Sequence, residues 1–245
     1  MYIKHITKMS VEILGKKYDV TLREFEIIFD TIEEIPDSFS SFVNLQKLNL
    51  NSNKIKKISN NLSDLINLQV LLMCYNEIKE IPNSFGNLIN LQKLYLSKNL
   101  IKEIPDSLSN LVNLQILNLN NNQIKEIPHN FSNLINLQKL YLSKNQIVEI
   151  PDSFGNLINL QTLWLDGNKI KEIPVSIIIL IRLISFHYFN NPIENINPIV
   201  QRFLDRIRNR GGNIHNVYSD GQNVHTSSIQ KCVKDSIARI FSFSL

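Results

Sequence analysis

A period of 23 residues constrains this chain more than any other feature. Six units run without gaps from Phe42 to Ile179. The third reads LINLQKLYLSKNLIKEIPDSLSN (Leu88–Asn110), and the fifth opens on the same twelve residues. A degenerate unit precedes them at residues 19–41, in register through Leu22, Phe25, Ile27, Ile32, Ile35 and Pro36. Another follows from Leu180, through Leu183, Phe186, Tyr188, Asn191, Ile193 and Ile196. Backbone entropy over 23 residues outweighs the burial of about seven aliphatic side chains, so a single unit cannot fold alone. The units must stack, each covering the apolar face of the next.

Within a unit the pattern is L-x-x-L-x-x-L-x-L-x-x-N-x-I-x-x-I-P-x-x-F/L. Its L-x-L step predicts a short strand with one face buried, and the Ile-x-x-Ile-Pro segment predicts a return across the outside. Proline recurs in phase at residues 36, 82, 105, 128, 151 and 174; Ser59 and Asn197 depart from it. The Asn column (Asn53, Asn76, Asn99, Asn122, Asn145, Asn168, Asn191, with Asp30 in the leading unit) is expected to be structural. An inward carboxamide both donates to and accepts from backbone groups that a tight turn leaves unpaired.

On these residues the chain resembles leucine-rich-repeat proteins. The IP-x-S-F-x-N-L-x-N-L-x-x-L-x-L-x-x-N wording is most similar to the intracellular Ras-group type, also of 23-residue repeats. The resemblance covers roughly residues 19–197. It implies an α/β repeat solenoid, a horseshoe with a concave parallel β-sheet and capped ends, used as a protein-binding scaffold.

The ends need covers, because an open parallel edge invites aggregation. Residues 1–18 are expected to form an N-terminal cap, with VEILGKKYDV as a hairpin about Gly15-Lys16-Lys17. A helix is expected over 198–212, capped by Asn197-Pro198, buried through Ile199, Val200, Phe203, Leu204 and Ile207, and stopped by Gly211-Gly212. Its Arg206, Arg208 and Arg210 read as solvated charges. Residues 213–245 read as a hairpin–helix tail, with an Asp220-Gly221 turn and a Ser227-x-x-Gln230 capping box. That tail either extends the cap or begins another module.

Composition narrows the function. There are 33 Asn and 37 Ile against one alanine, Ala238, a bias expected of an AT-rich genome such as those of some protists and of large DNA viruses of amoebae. Residues 1–197 hold 19 basic and 19 acidic side chains, and residues 198–245 hold 7 and 3. A neutral body with a mildly basic tail disfavours nucleic acid. No apolar run reaches membrane-spanning length and the first residues lack a secretory apolar stretch, so a soluble, cytoplasmic protein is expected. Phosphate-loop, dinucleotide, nucleophile-elbow and H-E-x-x-H motifs are absent. Neither enzyme activity nor a cofactor or metal is expected. Cys74 is placed at an outward strand position, and Cys232 on the apolar face of the tail helix.

What remains is a surface. Residues flanking the strand leucines face the concave side, one strand spacing apart. The middle column reads Glu26, Asn49, Leu72, Tyr95, Asn118, Tyr141, Trp164, His187. Lys93 and Lys139 lie in one flanking column, and Asp166 in the other. Large rings rimmed by charge have the composition of a protein-binding hot spot. The expected contact set is therefore Tyr95, Tyr141, Trp164 and His187 as anchors, with Lys93, Asn118, Lys139 and Asp166 around them. The partner is an unidentified protein. The alternative is an adaptor whose tail supplies or docks a signalling or ubiquitin-ligase-like function.

Overall fold

A computed structural model describes residues 10–13, 15–28 and 32–215. Two strands, β1 (Ser10–Ile13) and β2 (Lys16–Asp19), pair antiparallel across Gly15, whose φ of +74° suits the turn. Nine three-residue strands then form one parallel sheet in chain order: β3 (Glu24–Glu26), β4 (Lys47–Asn49), β5 (Val70–Leu72), β6 (Lys93–Tyr95), β7 (Ile116–Asn118), β8 (Lys139–Tyr141), β9 (Thr162–Trp164), β10 (Ser185–His187) and β11 (Asn213–His215). From β3 to β10 neighbours pair in phase with the repeat, Tyr95 beside Asn118 and Tyr141 beside Trp164.

Each repeat returns to the next strand through one turn of 3-10 helix, as at Asn83–Asn87 and Asp106–Asn110. Five residues between proline and the next buried leucine leave room for only that. The proline's fixed φ starts the turn and its carbonyl accepts from the N–H three residues on, Phe85 N to Pro82 O at 3.0 Å. Where Ser59 replaces proline, its hydroxyl accepts from Asn61 N at 3.3 Å. The only α-helix among the described residues is α1 (Pro198–Asn209). The expected solenoid is therefore present with its parallel sheet and little helix.

Inside, Leu88, Leu91, Leu94, Leu96 and their equivalents in neighbouring repeats are fully buried and stack from rung to rung. The Asn column lies beneath them. Asn99 Nδ2 donates to Met73 O (2.9 Å), Leu96 O (3.0 Å) and Ser97 O (3.4 Å), while its Oδ1 accepts from Ile78 N (3.0 Å). Asn76, Asn122 and Asn145 repeat the set, and Asn53, Asn168 and Asn191 make it in part or whole. Asp30 lies outside the described residues. The residue just before the ladder Asn is left-handed at six rungs without being glycine: Ser52, Tyr75, Lys98, Asn121, Lys144 and Asn190, with φ of +55° to +57°. A Cβ there costs roughly 1–2 kcal/mol, and the stacked backbone bonds on either side hold it.

Tyr18, Phe25, Phe39 and Phe42 close the N-terminal end as a ring cluster, with centroids 4.9–5.7 Å apart. At the other end, Asn197 Oδ1 caps α1 by accepting from Ile199 N at 2.9 Å. Val200, Phe203, Leu204 and Ile207 are buried, but Ile199, in the first turn, is 45% exposed. Residues 213–215 form β11 on β10, extending the sheet by one strand. The remaining tail, with its Asp220-Gly221 turn, the Ser227 capping box and Cys232, lies outside the described residues.

Gly212 sets that last junction. A Cβ on it would run into Ile207 Cγ2 and sit 2.8 Å from the carbonyl oxygens of Ile184 and Ile207. Gly212→Ala is therefore expected to destabilise the C-terminal cap by about 2 kcal/mol, read as a lowered thermal midpoint. Gly86→Ala, facing Ser107 O at 2.6 Å, should do likewise in the middle of the chain.

Candidate functional site

The concave wall carries the predicted contact residues, but only some reach its surface. Tyr95, Tyr141 and Trp164 are half-buried, as are Lys93 and Lys139. Tyr141 and Trp164 meet edge to face, 4.8 Å between centroids at 81°. Trp164 then stacks flat on His187, 4.8 Å at 7°, and His187 lies 4.5 Å from His215. Four rings thus follow one another on β8 to β11. His215 joins them because β11 enters the sheet, a pairing that no sequence period announces.

Asn118, Asp166 and His187 are not surface contacts: their exposures are 1%, 1% and 3%. Each is buried for a local reason. Asn118 is short between Tyr95 and Tyr141, and its Oδ1 turns back onto Asn120 N at 3.1 Å. His187 is covered on its two faces by Trp164 and His215. Asp166 belongs to a column, with Asn51, Cys74, Ser97, Asn120 and Ser143, that tucks under the left-handed turn and is buried throughout. Cys74 is accordingly interior, not outward. In that column Asn51 Oδ1 accepts from Cys74 N (2.7 Å), Asn120 Oδ1 from Ser143 N (2.6 Å) and Asp166 Oδ1 from Phe189 N (3.2 Å).

Asp166 also accepts from Ser143 Oγ at 3.1 Å and lies 3.9 Å from His187 Nδ1. Burial pushes its carboxyl up from 3.8 to about 7, against the pull of the Ser143 hydroxyl and the Phe189 N–H. On the far side of His187, Nε2 lies 3.3 Å from Ser185 Oγ, which accepts from Trp164 Nε1 at 3.2 Å. Ser185 and His187, on the neighbouring strand, thus hold Trp164 from one side. Burial also raises the Tyr141 phenol. At the N-terminal end the wall is charged instead, with Lys47 Nζ 3.1 Å from Glu24 Oε2. No group of three or more His, Cys, Asp or Glu side chains suited to a metal occurs among the described residues. No helix among them is long and apolar enough to cross a membrane.

Two further columns follow the same 23-residue phase along the turn that enters each strand. One is aliphatic and exposed: Val43, Ile66, Ile89, Val112, Ile135, Ile158 and Ile181, at 44–74%. The next is Asn67, Asn90, Asn113, Asn136 and Asn159, each donating Nδ2 to the aliphatic residue's carbonyl one rung back, at 2.8–2.9 Å. Their signal was available in the period, in the repeated wording L-I-N-L-Q.

Parallel three-residue strands at a constant 23-residue interval, closed by an Asn ladder, define a repeat solenoid with a ring-lined inner wall. A leucine-rich-repeat family model matches residues 66–124, and a second, of two leucine-rich-repeat copies, matches residues 135–177. The chain carries leucine-rich repeats over these residues, and its fold is that of a leucine-rich-repeat solenoid. It is similar in structure to a leucine-rich-repeat protein of Leptospira interrogans (25% identity, TM-score 0.71, 80% of this chain and 55% of that one). An internalin of Listeria monocytogenes shares the fold at 24% identity, TM-score 0.70, covering 82% and 56%. A plant peptide hormone receptor, solved in complex with RGF2, matches at 32% identity and TM-score 0.61, covering 64% and 26%. The chain thus spans about half or less of the length of each of these structures. No curated protein matches it in sequence.

Proposed function

We propose that this protein is a non-enzymatic interaction module that binds a protein partner on the C-terminal half of its concave wall. Tyr141 and Trp164 are the anchors, Tyr95 extends them, and Lys93 and Lys139 orient the partner from the flank. The observation that carries this reading is the Tyr141–Trp164 pair, half-buried, edge to face, with Trp164 bonded to Ser185 and stacked on His187 of the neighbouring strand. Rigid rings give up little entropy on contact, which is what a hot spot requires. The plant receptor similar to this chain, solved in complex with RGF2, supports a binding role. We further propose an intracellular setting, the one implied by the resemblance to the Ras-group repeats.

The test is partner capture from the native cell with wild type and a Tyr141→Ala/Trp164→Ala pair. Affinity for the captured partner is expected to fall by at least about tenfold, or about 1.4 kcal/mol. Equal affinity in both would show that the partner uses another face.

A further inference from the structure

A second surface lies on the turn that enters the strands, away from the rings. Its groove, of about 380 Å³, is walled by the side-chain amides of Gln92, Gln115 and Gln138 on one side and Asn90, Asn113 and Asn136 on the other. The asparagines spend a donor on the carbonyl of the preceding rung, which fixes them in place. The glutamine side chains make no hydrogen bond among the described residues, although they are half-buried and their backbones are held in the ladder, Gln115 N to Gln92 O at 2.8 Å. Beside the groove runs the exposed Ile/Val ridge.

Charge is missing from this strip. Residues 87–92, 110–115, 133–138 and 156–161 contain no Asp, Glu, Lys or Arg, in a chain where one residue in five is charged. A ligand matched to it is uncharged, and it must offer donors and acceptors together, because a carboxamide presents both. The strip also repeats at the strand spacing, about 4.8 Å. An extended peptide presents same-face groups about every 6.6 Å and slips out of phase within a few rungs. A β-1,4-linked hexose chain advances per ring by slightly more than one strand spacing and turns alternate rings over, so that each rung still meets a hydroxyl-bearing edge. Its hydroxyl edge suits the amides and its C–H face suits the aliphatic ridge.

We propose that this strip is a binding site for a neutral, linear, β-linked polysaccharide lying along the solenoid axis, with successive rings seated over successive rungs. The site is separate from the concave wall and does not depend on the protein-binding reading. The experiment measures binding of cellohexaose and chitohexaose to the whole chain by calorimetry, and retention on cellulose and chitin. At least one of these ligands is expected to bind, with an affinity unchanged by added salt. A Gln92→Ala/Gln115→Ala/Gln138→Ala variant should weaken binding by about tenfold or more, and Tyr141→Ala/Trp164→Ala should leave it intact. Gln115→Glu, which keeps the shape and adds charge, guards against a folding defect in the triple variant and should also weaken binding. The proposal fails if none of the four ligands binds wild type, if the glutamine variants bind as tightly, if salt abolishes binding, or if the ring pair is what binding needs.

Discussion

Replacing Asn122 with alanine is expected to destabilise the protein by about 3 kcal/mol. Asn122 sits in the middle of the ladder at 9% exposure. Its Nδ2 donates to Leu96 O, Leu119 O and Asn120 O at 3.0, 3.0 and 3.4 Å, and its Oδ1 accepts from Ile101 N at 3.0 Å. Alanine leaves the Ile101 N–H unpaired where neighbouring rungs exclude water, at about 1–3 kcal/mol, and removes a second donor from Leu96 O and Leu119 O, which keep Asn99 Nδ2 and Asn145 Nδ2. Because stability in a repeat array is passed between neighbours, a break at the centre should also separate the unfolding of the two halves. Denaturant unfolding followed at Trp164 and by circular dichroism reads both effects. A shift below about 1 kcal/mol, within the range of ordinary surface substitutions, would mean that the Ile101 N–H finds water instead.

The second large effect belongs to Asp166. In the unfolded chain its carboxyl loses its proton near 3.8, while in the folded protein burial holds the proton until about 7. Between those values the unfolded state binds fewer protons than the folded state, so stability falls as pH rises and levels off above about 7. Asp166→Asn removes that cost. Its side-chain oxygen still accepts from Phe189 N and its amide donates to Ser143 Oγ, as asparagine already serves at positions 51 and 120 of the same column. The variant is expected to be more stable than wild type at pH 8 by on the order of 3 kcal/mol, and equal to it at pH 4. Equal stability at both values would show that Asp166 ionises normally in the fold.

The solenoid was legible because its information is one-dimensional. Leucines at fixed intervals, a phased proline and an Asn in every unit specify the strand, the return turn and the ladder, and the 23-residue phase dictates that the strands lie parallel and adjacent. Much less of the inner wall could be read. Alternation along a strand correctly sends Tyr95, Tyr141 and Trp164 to the concave side. It says nothing of how tall each side chain stands beside its neighbours one rung away. Asn118 is buried because it is shorter than the tyrosines flanking it, and Asp166 because its column turns under the left-handed residue that follows it, Gly167 at this rung and a non-glycine at six others.

The repeat alone settled which residues stack, since burial of aliphatic side chains depends on their spacing along the chain. Only the folded molecule decided which polar residues meet solvent and which hold one another. Exposure and hydrogen bonding depend on side chains 23 residues away, or, for His187 and His215, on a strand that arrives through a helix outside the period.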